Sequence, residues 1–167
     1  MDLLKPDSSL WILLIIILLG VCVVGVLFIL TQQNTLKAIR PEHRELRPGQ
    51  VWLQLIPLIN LYWQFIVVTR IADSISRQNA SFQDDSILGI PDYDAVAAVG
   101  KRPTYAMGIA FCTLMVANSV LSYISSLAML QGVVALGGII CWIIYWVQLA
   151  EVKRKLVRSQ QTVGPGF

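Results

Sequence analysis

From Leu10 to Leu30 the chain runs for 21 residues without a charged side chain. In hydrocarbon such a run must satisfy every backbone N–H and C=O internally, and a single segment does so only as an α-helix. At this length the helix rises about 30 Å, the thickness of a bilayer core. The run exceeds the ~7–15 apolar residues of a secretory signal. Its N-terminal flank, with Asp2, Lys5 and Asp7, is not basic, and no small-residue cleavage site precedes Thr31-Gln-Gln-Asn34. It therefore reads as a retained transmembrane helix, with Gly20 and Gly25 as its close-approach points. The rest of the chain agrees. Charged residues make up 14% of it, against about 25% in soluble domains, and the mean hydropathy is +0.65. One membrane domain over 1–167 is expected.

Thr31 to Arg40 extends the helix beyond the apolar run until Pro41 stops it. Glu42 to Arg47 forms a mixed-charge elbow, and Arg47-Pro-Gly49 is a turn signal. The stretch from Val51 to Ile71 then decides the topology. It is apolar enough to enter a bilayer, yet it carries Gln54, Pro57, Asn60 and Gln64 where a lipid-facing helix would carry Leu. Pro57 and Asn60 suit a re-entrant hairpin or an in-plane helix, because non-helical backbone at membrane depth is tolerated where protein covers it. Ile71 and Ile75, one turn apart, suggest an amphipathic helix leaving along the surface. A polar cytoplasmic loop over 72–104 follows.

Two more apolar spans are expected, over 105–130 and 133–150, joined by a tight connection at Gln131-Gly132. In the first, Ser119, Ser122 and Ser126 share a helix face, and Asn118 sits near mid-span. Small and hydroxyl residues on one face usually mean helix–helix contact. The second carries Gly137, Gly138 and the aromatic group Trp142, Tyr145 and Trp146. These three either form an interfacial belt or pack on the central stretch with Trp52, Tyr62 and Trp63; Trp142 lies deep for a belt, so it at least is expected to pack on protein. Asn60 and Asn118 are expected to pair, directly or through water, because a lone amide in hydrocarbon is costly. A basic cap, Glu151 to Arg158, precedes a disordered tail over 159–167.

The 13 Lys and Arg residues arbitrate the topology. If 51–71 does not cross and Met1 is outside, twelve lie on the cytoplasmic side and only Lys5 outside. If 51–71 crosses, they divide nine to four, with nine outside when Met1 is outside and nine inside when Met1 is inside. Positive charge favours the cytoplasmic side. The expected fold is thus an all-α integral membrane protein with three spanning helices plus a half-inserted Pro/Asn-containing element. A four-helix transmembrane bundle is the alternative.

Several blocks carry a resemblance. They are Pro48-Gly-Gln-Val-Trp-Leu-Gln-Leu-Ile-Pro-Leu-Ile-Asn60, Trp63-Gln-Phe-Ile-Val-Val68, Ile71-Ala-Asp-Ser-Ile75, Arg102-Pro-Thr104 and Cys141-Trp-Ile-Ile-Tyr-Trp-Val147. Together they resemble a family of uncharacterised small multi-pass membrane proteins common in Bacteroidetes-type genomes, over residues 31–155. The resemblance implies the inner (cytoplasmic) membrane of a Gram-negative cell. It implies no activity.

The chemistry-bearing residues are sparse. Cys22, Cys112 and Cys141 lie in apolar runs without CxxC spacing and read as small packing residues, not ligands or disulfides. The single His43 has no nucleophile placed beside it. The carboxylates Asp84, Asp85, Asp92 and Asp94 lack the alternate oxygen spacing of a calcium loop. No basic patch is interleaved with aromatics, so nucleic acid is excluded. No catalytic, cofactor or metal site is expected. The reading is a non-enzymatic membrane protein that acts as an assembly or accessory subunit, or as a homo-oligomer. Its partners are the lipid bilayer and another membrane protein or itself. A small oligomeric channel or transporter is the alternative, since Gln54, Asn60, Gln64 and Asn118 are intramembrane polar groups. A lipid-modifying enzyme using His43 and the 84–94 carboxylates is a third.

Overall fold

The computed structural model describes residues 8–85 and 102–162. Among these residues the chain is helical, without strands. Helix α1 spans Ser8–Ala38, α2 Pro57–Asp85, α3 Tyr105–Leu121 and α4 Ala128–Thr162. Short 3₁₀ segments cover Pro41–His43, Pro48–Leu55 and Ser125–Leu127. α1 and α4 are long and apolar enough to cross a membrane; α3 is apolar but shorter.

α1 ends where expected. Ile39 and Arg40 leave helical geometry, and Pro41 opens the first 3₁₀ turn. The orphan carbonyls at the helix end are capped from the elbow: Arg44 donates through Nε to the Ile39 carbonyl at 2.7 Å and through Nη2 to that of Lys37 at 2.9 Å.

The 51–71 stretch is not one straight helix. A 3₁₀ segment runs to Leu55, Ile56 is extended, and α2 starts at Pro57. Proline suits a first helical position, where its missing N–H is no loss. The two arms lie antiparallel. Trp63 Nε1 donates to the Gln50 carbonyl at 2.9 Å, Arg70 pairs with Glu45 at 2.7 Å, and the Arg40 N–H donates to Gln78 Oε1 at 2.8 Å. Residues 39–71 therefore form a hairpin whose tip is Leu55 to Pro57. Its rising arm climbs α1, where Trp52 Nε1 donates to Gln33 Oε1 at 3.3 Å and Gln54 Nε2 to Gln32 Oε1 at 2.6 Å.

Side-chain contacts also orient the other helices. Phe28 of α1 meets Trp142 and Trp146 of α4, and Trp146 Nε1 donates to Thr31 Oγ1 at 2.9 Å, so register rises together and the two run parallel. α3 is antiparallel to α4, because Leu114 faces Gly137 and Gly138 while Gly108 faces Tyr145. It is antiparallel to α2 also, with Gly108 at Val68 and Arg102 at Asp73. The C-terminal ends of α1, α2 and α4, the elbow and the start of α3 therefore share one end of the bundle. The 122–127 turn lies at the other.

Several expectations are corrected. The Ile71/Ile75 face is no surface helix. Both side chains are fully buried in a core with Leu36, Ile39, Val51, Val67 and Leu149, as the middle of a continuous α2. Residues 72–85 are helix rather than loop. The α3–α4 connection falls at 122–127 instead of Gln131-Gly132. Serines explain it: Ser119 Oγ donates to the Met115 carbonyl and Ser122 Oγ to that of Ser119, the local competition that favours helix ends. Gly132 is then interior to α4, which also continues through the basic cap to Thr162, so that of the tail expected to be disordered only 163–167 lies outside the described residues.

Candidate functional site

At the shared end of the bundle lies a polar clasp. Glu45 pairs with Arg70 at 2.7 Å and with Arg77, and its backbone N–H donates to Ser74 Oγ at 2.9 Å. Ser74 in turn donates to the Arg70 carbonyl at 2.6 Å. Arg102 pairs with Asp73 at 3.0 Å and stacks over the Tyr105 ring. These bonds tie the elbow and α3 to α2. Arg70, Asp73 and Arg77 sit one turn apart on α2, yet their partners, Glu45 of the elbow for the two Arg and Arg102 for Asp73, were not legible from spacing.

Further along the bundle the polar groups are carboxamides and hydroxyls. Gln32, Thr35 and Gln54 are buried among apolar side chains. Gln54 Nε2 is shared between Gln32 Oε1 and the Val51 carbonyl at 3.0 Å, and Thr35 Oγ1 donates to the Thr31 carbonyl at 2.8 Å. Gln54 is thus spent on docking the hairpin. Gln32, which the sequence reading passed over, is its partner.

Beyond the hairpin tip lies a cavity of about 400 Å³, within the size of small-ligand pockets. Val21, Gly25, Phe28 and Ile29 of α1 form one wall, Phe111 and Met115 of α3 another, and Gly138, Ile139 and Trp142 of α4 a third. The hairpin supplies Gln54, Leu55, Asn60 and Gln64. Leu55 and Asn60 share this cavity with Val21, so the tip stands beside the middle of the Leu10–Leu30 run. No lining residue is charged.

The other candidate residues divide. Gly137 and Gly138 pack on Leu114, where an added Cβ would stand 3.7 Å away. The closest approach is at Gly108, unmarked in the sequence reading: a Cβ there would lie 2.9 Å from Tyr145 Cε2 and would clash with Val68. Gly20 and Gly25, expected as close-approach points, have nothing within 4 Å of a Cβ. Ser119, Ser122 and Ser126 are exposed, so no helix among the described residues covers them. Trp142 packs on Phe28 at 5.5 Å and Trp146 at 5.3 Å. Trp52 and Trp63 instead join the hairpin core, and Tyr62 is 71% exposed. Asn60 and Asn118 do not bond each other directly, for the Oδ1 of each is buried without a hydrogen-bond partner.

Cys112 is buried, but Cys22 is exposed on α1, contrary to the packing role expected of it. His43 is half-buried in the Pro41–His43 turn. Asp92 and Asp94 lie outside the described residues, and among those described no three His, Cys, Asp or Glu residues gather for a metal. No family, curated protein or solved structure matches this chain.

Proposed function

We propose that the chain is a non-enzymatic, multi-pass integral protein of a bacterial inner membrane, acting as an assembly or accessory subunit or as a homo-oligomer. In this reading α1, α3 and α4 cross the bilayer, and the 39–71 hairpin enters to about half depth and returns. The elbow, the C-terminal end of α2 and the basic end of α4 face the cytoplasm, with Met1 outside. The shared end of the bundle supports this arrangement, because it gathers the elbow, Arg70, Arg77, Arg102 and the 153–158 cluster, as the positive-inside tendency favours. The inner-membrane location rests on the sequence resemblance.

One observation carries the assembly role. From Leu10 to Leu19 every large apolar residue of α1 is between 53% and 64% exposed, whereas Phe28 to Ile39 contribute to the core. This third of the helix, which no described residue covers, is free to take another helix. A channel is less well supported. Gln54, a polar group that would mark a path, is bonded to Gln32, and the cavity holding Asn60 and Gln64 is mainly apolar.

Two experiments test the reading. Purification in mild detergent with native mass analysis is expected to return further subunits or several copies. Ile15→Trp and Leu18→Trp should dissolve that association while leaving the melting of the monomer unchanged. A monomer indifferent to both substitutions refutes the assembly role. For topology, Cys22, Cys112 and Cys141 are replaced by Ser and single cysteines placed at Ser9, Glu42 and Ser159. An impermeant probe outside should reach only position 9. Labelling of 42 but not 159 would mean that 51–71 crosses.

A further inference from the structure

We propose that the cavity at the hairpin tip binds a neutral lipophile bearing a planar, oxygen-substituted ring, of the isoprenoid-quinone class. The proposal rests on the membrane placement above and goes beyond the assembly role.

Three features of the cavity select this chemistry. The first is its aromatic wall. Phe28, Phe111 and Trp142 all line it, with Phe28 edge-on to both others. Flat rings pack on such walls in stacked or edge-to-face geometry. The second is hydrogen bonding. Asn60 and Gln64 stand one turn apart on α2 and line the same space. The Asn60 Oδ1 is turned away from the open space, buried, and has no hydrogen-bond partner among the described residues. A carboxamide left so in hydrocarbon is costly. A ring carbonyl accepts from an amide N–H, and a ring hydroxyl donates to an amide oxygen; Gln64 lines the space with a carboxamide that offers both, and a turn of the Asn60 side chain about its soft terminal torsion brings its oxygen to the ligand.

The third feature is charge. None of the lining residues is Lys, Arg, Asp or Glu. A phosphate headgroup drawn to this depth would meet no counter-charge, and its desolvation would go uncompensated. A plain acyl chain would fill the apolar part and leave Asn60 and Gln64 without partners. The oxygen-bearing ring with an apolar tail meets every group present. Gly25 keeps the α1 wall open, since nothing lies within 4 Å of where its Cβ would be.

The test uses the full chain in phosphatidylcholine nanodiscs with decylubiquinone as probe. Melting temperature and intrinsic tryptophan fluorescence are both followed. The quinone should raise the melting temperature saturably and quench part of the fluorescence, the quenched part being lost in Trp142→Phe. The double variant Asn60→Leu, Gln64→Leu should weaken binding about tenfold or more, the loss expected from two hydrogen bonds, while its unliganded melting temperature holds or rises. Gly25→Leu, whose Cβ meets nothing within 4 Å and whose side chain enters the cavity, should abolish saturation. Dioleoylglycerol should compete poorly. The proposal is overturned if quenching grows linearly with quinone, if dioleoylglycerol stabilises equally, or if the Asn60/Gln64 variant binds like the parent. None of these outcomes alters the labelling pattern at positions 9, 42 and 159, so failure here is separable from failure of the topology.

Discussion

Replacing Gln54 by Leu tests whether the hairpin is held by one buried carboxamide pair. Gln54 and Gln32 are 7% and 1% exposed, and their 2.6 Å hydrogen bond joins the rising arm to α1. In Gln54→Leu the Gln32 oxygen loses its donor in a place water does not reach. Stranding a buried acceptor costs about 1–3 kcal/mol. Polar pairs inside membrane bundles have measured lower, with an average of ~0.6 kcal/mol. The site sits toward the polar end of α1, so a loss of about 1–2 kcal/mol is expected. Gln32→Leu should cost a similar amount, because it leaves Gln54 Nε2 with the Val51 carbonyl alone. The double Leu variant should recover most of the loss, since neither partner is then stranded. The assay is a double-mutant cycle on reversible unfolding in mixed micelles, followed by tryptophan fluorescence. A coupling of about 0.5–2 kcal/mol is expected between residues in direct contact. Strictly additive penalties, or a neutral Gln54→Leu, would refute the idea that this bond docks the hairpin.

Gly108→Ala should destabilise by about 1–3 kcal/mol, the usual cost of overpacking, because its Cβ meets Val68 and Tyr145; Gly25→Ala, with open space around it, should be neutral in the same melt. Glu45→Gln should lower the melting temperature modestly, by an amount that shrinks in high salt. Its partners Arg70 and Arg77 are more than half exposed and rehydrate when released, which limits each pair to about 0.2–1 kcal/mol. A salt-independent loss would mean that the Ser74 contact to the Glu45 backbone dominates.

Much was legible in the residue order. The Leu10–Leu30 run pointed to a helix, because in hydrocarbon a single uncharged run of that length satisfies its backbone only that way. Pro41 marked the end of α1, and Pro57 with Asn60 marked the break in the 51–71 stretch, because proline forbids a helix from continuing through it unbroken. Gly137 and Gly138 stood out as small packing residues and lie against Leu114 of α3, and Trp142, too deep for a belt, lies against Phe28. These are local or periodic signals, and a one-dimensional string holds them. What it did not hold is which distant groups meet. Glu45 could have paired with several cations; the hairpin's antiparallel register chose Arg70 and Arg77. Ile71 and Ile75 looked like a surface stripe, but the elbow and α1 cover them, since burial depends on what other segments bring. Ser119 and Ser122 lie at the end of α3, exposed within the chain, with their hydroxyls bonded to their own helix, and which surface they meet is not written in the string. Gly20 and Gly25 were read as contacts and stand open, while Gly108, one glycine among 11, is pressed between two helices. Close approach is a property of two surfaces, and the sequence displays only one at a time.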